Sequence, residues 1–185
     1  MVLIFIDKAD VAIFFVLVIF TFTEYIVGFV NMNVYRYHSE WYDAVAPRIK
    51  GMLPPLLFSM AWVIMYVLII ISLFAFYRDN AFGSAALRHN PANLTDIITV
   101  LFLYNIMAVK FWPYVLFHAQ RTVGGLLLML FVVVTGIAIL VLFGVNALWV
   151  EMFTFLPYTL WILYTLYINS MWLYNELYHL PINKH

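Results

Sequence analysis

The chain has no cysteine among its 185 residues, and only 10% of them are charged, nine basic against nine acidic. Without cysteine there is no disulfide, no thiolate metal ligand and no cysteine nucleophile. With zero net charge and no basic run, the clustered Lys and Arg that phosphate contacts demand are missing, so no nucleic-acid partner is expected. Polar groups are too few to coat a soluble globule. Apolar residues make up 66% of the chain, against roughly 45–50% apolar and about 25% charged in ordinary soluble domains. No linker, low-complexity tract or internal repeat interrupts the sequence, which reads as one domain over residues 1–185.

What is present is a set of long apolar runs. Leu53–Phe76, Thr122–Val150 and Met152–Asn175 contain no Asp, Glu, Lys or Arg, and an apolar stretch of about 20 residues spans a bilayer as a helix. Two further runs carry one charge each, Val11–Val30 with Glu24 and Ile97–Phe117 with Lys110. Lipid offers no partner for exposed backbone groups, so each span must close its own hydrogen bonds as a helix. The expected fold is therefore all-α, an integral membrane bundle of five transmembrane helices over residues 11–30, 53–76, 97–117, 123–146 and 152–175. Asp7, Lys8 and Asp10 stand where a secretory signal would be basic, so the first run is read as a retained span. Lys8, Arg78 and Arg88 lie on the N-terminal side and Arg36, Arg48, Lys50, Arg121 and Lys184 on the other, which favours a cytoplasmic C-terminus.

Six Trp, 13 Tyr and 17 Phe are many for a bundle this small. Trp149, Tyr178 and Tyr35 suit interfacial anchoring, but others sit deeper. Trp161, Tyr164, Thr165 and Ile168 share one helical face with Asn169 beside them, Trp62 and Tyr66 share another, and Asn105, Ala108 and Trp112 a third. Such stripes serve packing more often than binding. Here, however, buried indole and phenol groups need partners, which Asn105 and Asn169 supply, and an aromatic cavity with a few polar groups is the usual form of a small-molecule site.

Four segments in register resemble the TspO/MBR family, the translocator or tryptophan-rich sensory proteins. Pro157-Tyr158-x-x-Trp161-x-x-Tyr164-x-x-x-Ile168-Asn169 is similar to its last helix. Trp41-Tyr42-x-x-Val45 is similar to its first loop, Pro54-Pro55 with Trp62-x-x-Met65-Tyr66 to its second helix, and Asn105 with Trp112-Pro113 and Phe117 to its third. The chain departs from the family pattern at Ile70, where a glycine is usual, at Val109 and Tyr114, and near Leu128. The resemblance implies a five-helix bundle, a possible homodimer, and a pocket for a porphyrin or sterol-like small molecule used in sensing or translocation. By motif position it implies Tyr42, Trp62, Asn105, Trp161, Thr165 and Ile168 as ligand-binding residues, to which the aromatic faces add Tyr66, Trp112 and Tyr164; for a porphyrin, Arg48 or Lys50 could serve as a rim cation for a propionate. It also implies a mitochondrial outer membrane in a eukaryote or the cell membrane in a prokaryote.

No metal-ligand cluster, paired carboxylates or nucleophile set marks a reaction centre, so no metal, cofactor or catalytic residue is expected and the sequence leans against an enzyme. Light-dependent porphyrin degradation and a purely structural subunit are the alternatives. One further expectation concerns charge. Glu24 and Lys110 lie equally far into parallel spans and are expected to pair, because a charge within a span costs about 2.5–3.5 kcal/mol. The competing reading is that each snorkels to the interface.

Overall fold

The computed structural model describes Phe15, Ile19, Asp43, residues 45–81 and residues 91–179. Among these residues there is no strand. Four α-helices follow a short 3-10 turn at Ala46–Arg48: α1 (Pro55–Ala81), α2 (Pro91–Pro113), α3 (Thr122–Val145) and α4 (Trp149–His179). The expected span at 11–30, with Glu24, lies outside the described residues except for Phe15 and Ile19, as do Trp41 and Tyr42. The Glu24–Lys110 pairing therefore falls outside them too, while Lys110 is half-buried on α2.

Among the described residues, three segments are long and apolar enough to cross a membrane: Pro55–Arg78, Leu94–His118 and Thr122–Val145. Their bounds lie within three residues of the spans expected at 53–76, 97–117 and 123–146. α4 is longer still but falls short of their hydropathy, because Tyr158, Thr159, Thr165, Asn169 and Asn175 are carried on its buried side. The polarity of the bundle is inverted relative to a soluble protein. Leu127, Leu130, Val134 and Val141 face outward on α3, as do Leu56, Met60 and Ile64 on α1, while Ser72, Asn105, Thr135 and Asn169 are buried. Apolar outside with hydrogen-bonded polar groups inside is the arrangement lipid imposes. Trp149 and Tyr178, near the two ends of α4, are exposed, as interfacial anchors should be.

The connections follow from local chemistry. α1 begins at the second residue of Pro54-Pro55, where a missing N–H costs nothing, and the Phe58 amide bonds to the Pro54 carbonyl at 3.0 Å. α2 ends at Pro113, which cannot donate to the preceding turn, and the backbone widens into a π turn over Tyr114–His118. Gln120, at φ 51°, then stops the helix. Gly124 and Gly125 let α3 start directly against that turn, since a Cβ at Gly125 would lie 3.1 Å from Leu116 Cβ. At the other end Asn146 bonds the Leu142 carbonyl through its side chain at 2.8 Å, and Ala147 at φ 55° reverses the chain into α4.

α4 packs against α1 and α3, and α3 against α2. Polar ties cross each seam. Ser72 donates to the Glu151 carbonyl at 3.1 Å, Tyr77 and Thr99 share a hydrogen bond of 2.8 Å, and Thr122 donates to the Glu176 carboxylate. At Gly136 α3 lies close against its neighbours, and a Cβ there would lie 2.6 Å from Ile162 Cδ1 on α4 and 3.6 Å from Asn105 Nδ2 on α2. Gly136→Val is accordingly expected to cost about 1–3 kcal/mol by overpacking, read as a lower melting temperature in detergent. An unchanged melt would mean that the two helices have room to spare there.

Candidate functional site

The aromatic stripes divide into two clusters. Toward the N-terminal end of α4, Phe102, Phe143 and Phe155 pack on one another and Phe143 on Phe76, with ring centroids between 5.2 and 6.0 Å apart, and all four are fully buried. With no polar group among the four, this cluster fills space.

The other cluster is built differently. Trp62 on α1, Trp112 on α2 and Trp161 on α4 converge from three helices. Trp62 lies 5.9 Å from Trp161 in a T-shaped contact and 6.1 Å from Trp112. Tyr66 packs 5.7 Å from Trp62, and Tyr164 packs 5.0 Å from Trp161. Phe58, one turn before Trp62, closes the group at 5.3 Å from Trp161. Beyond Trp112 the ring contacts continue through Phe117 to Trp172, at 5.6 and 5.9 Å. Offset and edge-on pairs of this kind add about 0.5–1.5 kcal/mol each beyond the area they bury.

The hydrogen bonds separate the three tryptophans. Trp112 donates its indole N–H to Asn169 Oδ1 at 2.8 Å, and Asn169 in turn donates to the Thr165 carbonyl at 2.7 Å. The indole nitrogens of Trp62 and Trp161 are buried and have no hydrogen-bond partner among the described residues. Both side chains are nevertheless only half-buried as a whole. A buried donor without an acceptor costs about 1–3 kcal/mol, and two such donors belong to rings that are in contact with each other.

Asn105 sits deeper. Its amide nitrogen donates to the Val132 carbonyl and to Thr135 Oγ1, both at 2.8 Å, and its oxygen accepts the Tyr158 hydroxyl at 2.5 Å. The side chain is buried, and both its amide N–H groups and its oxygen are engaged by protein. Asn105 thus joins α2, α3 and α4, and its polar atoms are turned away from any guest. Thr165 is likewise committed, donating to the Trp161 carbonyl at 2.9 Å.

A strap of backbone covers the cluster from one side. Val45 and Ile49 are buried against Ile168 and Trp172, with Met52 and Tyr164 packed around them. Tyr164 donates its hydroxyl to the Gly51 carbonyl at 2.9 Å and accepts the Leu53 amide at 3.2 Å. Tyr167 donates to the Lys50 carbonyl at 3.1 Å. Lys50 and Arg48 are exposed on this strap.

Of the residues expected at the site, Trp62, Tyr66, Trp112, Trp161 and Tyr164 come together. Thr165 and Ile168 lie behind or beneath them, Asn105 belongs to the helix junction, and Tyr42 lies outside the described residues. Phe58 was missed although its i, i+4 relation to Trp62 was visible. The strap's contacts with α4 join residues more than a hundred positions apart, and no local pattern announces them. Among the described residues no group of three or more His, Asp or Glu could hold a metal ion.

The sequence profile of the TspO/MBR family matches residues 12–174. No curated protein and no solved structure matches the chain.

Proposed function

The chain belongs to the TspO/MBR family, and from that premise we propose that this membrane protein is a five-helix receptor that binds a flat hydrophobic ligand, a porphyrin or a sterol, at the Trp62–Trp161 junction, for sensing or translocation. The observation that carries this reading is the pair of buried indole N–H groups, without acceptors among the described residues, in an aromatic cluster. A porphyrin supplies what the cluster lacks. Its disc offers stacking area to Trp62, Trp161, Tyr66 and Phe58, its nitrogens and carboxylates are acceptors, and its propionates suit the ammonium of Lys50 or the guanidinium of Arg48 at the strap. A sterol fits the apolar walls but answers fewer of the polar groups, so protoporphyrin is the better first probe.

The test is a dark titration of the purified protein in detergent, followed through tryptophan emission. Saturable quenching with one-site stoichiometry is expected. Quenching that rises linearly and matches that of an unrelated tryptophan-containing membrane protein in the same detergent would show only partition of the porphyrin into micelles, and the receptor reading would fall. Salt provides a second arm. If a propionate meets Lys50 or Arg48, affinity for protoporphyrin should weaken severalfold between low and high ionic strength, because exposed ion pairs are screened, whereas binding of an uncharged sterol should not.

A further inference from the structure

We infer that Tyr164 and Tyr167 form a latch that holds the strap over the aromatic cluster and sets the rate at which the site opens. The inference takes the location of the site from the reading above, but the latch itself rests on separate contacts.

Among the described residues, the backbone bonds at the strap's far end divide into those within its turn and those to α4. Ile49 and Met52 bond within the strap, to Ala46 and Ile49 carbonyls at 3.2 Å each, which shapes the turn without attaching it to a helix. Gly51, at φ 78°, takes a left-handed conformation that suits glycine, and no atom lies within 4 Å of where its Cβ would be. The segment just after the buried Ile49 is thus a tight turn with open space beside it. The bonds that tie it down come from two phenols one helical turn apart on α4. Tyr167 holds the Lys50 carbonyl, and Tyr164 holds the Gly51 carbonyl and the Leu53 amide. At 2.9 to 3.2 Å these bonds weaken steeply with any small displacement.

Tyr164 has a second contact that Tyr167 lacks. Its ring lies against Trp161, which also meets Trp62 and Phe58. The same side chain therefore forms part of the cluster's wall and part of the fastening above it. A ligand that passes beneath the strap must break the fastening, whereas one already seated leaves the hydroxyls free to close again. Removing the hydroxyls while keeping the rings should consequently speed uptake and release, and Tyr167→Phe, which leaves the cluster's wall intact, should do so with the equilibrium affinity nearly as it was.

The test uses the full chain in detergent and two variants, Tyr164→Phe and Tyr167→Phe. In the ligand-free protein, hydrogen exchange of residues 50–53 should accelerate about fivefold to tenfold in Tyr167→Phe, the worth of one hydrogen bond, and more in Tyr164→Phe, which loses two, with exchange in α3 unchanged. Stopped-flow quenching by protoporphyrin should then show both rates rising in both variants, and by similar factors in Tyr167→Phe. Wild-type exchange at 50–53 in both variants would overturn the latch, whatever the ligand does. Faster exchange with unaltered binding rates would overturn its role as a gate. If protoporphyrin shows no saturable binding to any form, the receptor reading fails separately, and the exchange measurement still decides the latch.

Discussion

Trp62→Phe combined with Trp161→Phe should weaken protoporphyrin binding about a hundredfold while costing the ligand-free protein less stability than Trp112→Phe alone does per residue changed. Phenyl rings keep most of the apolar surface and the edge-on contacts, so the change chiefly deletes two N–H donors. Each donor bonded to a ligand acceptor is worth roughly 1–1.5 kcal/mol, or about tenfold in affinity, and the two should add if the acceptors are separate. In the empty protein neither donor has an acceptor among the described residues, so removing them relieves a desolvation cost that offsets the lost volume. Trp112 differs because its N–H already bonds Asn169. Its replacement leaves a buried amide oxygen bare, and the melting temperature should fall further. Calorimetric melts and emission titrations on the same three preparations check both halves. Equal affinity across the set would remove the indoles from the site, and a larger loss of stability at Trp62 or Trp161 than at Trp112 would show that they serve packing.

The second large effect is structural. Asn105→Ala removes two donors and one acceptor at the junction of three helices and leaves the Tyr158 hydroxyl buried without its acceptor. Interhelical hydrogen bonds inside membranes average about 0.6 kcal/mol and reach about 1.7, so three of them together with the vacated volume should amount to roughly 2–4 kcal/mol. The loss should be visible without any ligand, as a markedly lower midpoint in a denaturing-detergent titration. Tyr158→Phe should cost less by itself. In the double variant it should recover part of the Asn105→Ala loss, because the orphaned hydroxyl is gone. If Asn105→Ala melts like the wild type but binds porphyrin poorly, the side chain faces the ligand after all and the hydrogen bonds drawn here are not the ones that matter.

The difference between Asn105 and the tryptophans shows how far sequence reasoning reaches. Both were legible as members of buried helical faces, because a period of 3.6 residues depends only on the chain's own geometry. That Asn105 and Asn169 would serve buried indole and phenol groups was also legible, since hydrocarbon leaves such groups no other source of partners. Which amide serves which ring was not. Asn169 lies on α4 and bonds Trp112 on α2, while Asn105 lies on α2 and bonds Tyr158 on α4. The assignment depends on the relative rotation and height of two helices, quantities that no spacing within either helix encodes. Ile168 illustrates the same point. Its place one turn beyond Tyr164 put it on the site face, yet it packs under the strap against Val45, Ile49 and Trp172.

From sequence alone came the membrane as solvent, the helical class, the positions of the apolar spans, the aromatic faces and the likeness to a family. Each of these follows from local quantities: run length, charge spacing, periodicity and short motifs. The tertiary structure alone decided that three indoles from three helices meet, that among the described residues one of them has a hydrogen-bond acceptor, that Asn105 joins helices, and that two tyrosines bond residues 50–53 to α4. These are relations between segments brought together by packing, and their energies depend on distances of a few ångströms between groups far apart in the chain. Hydrogen bonds and ring contacts are short-ranged, so they exist only once the helices have chosen their mutual depth and rotation.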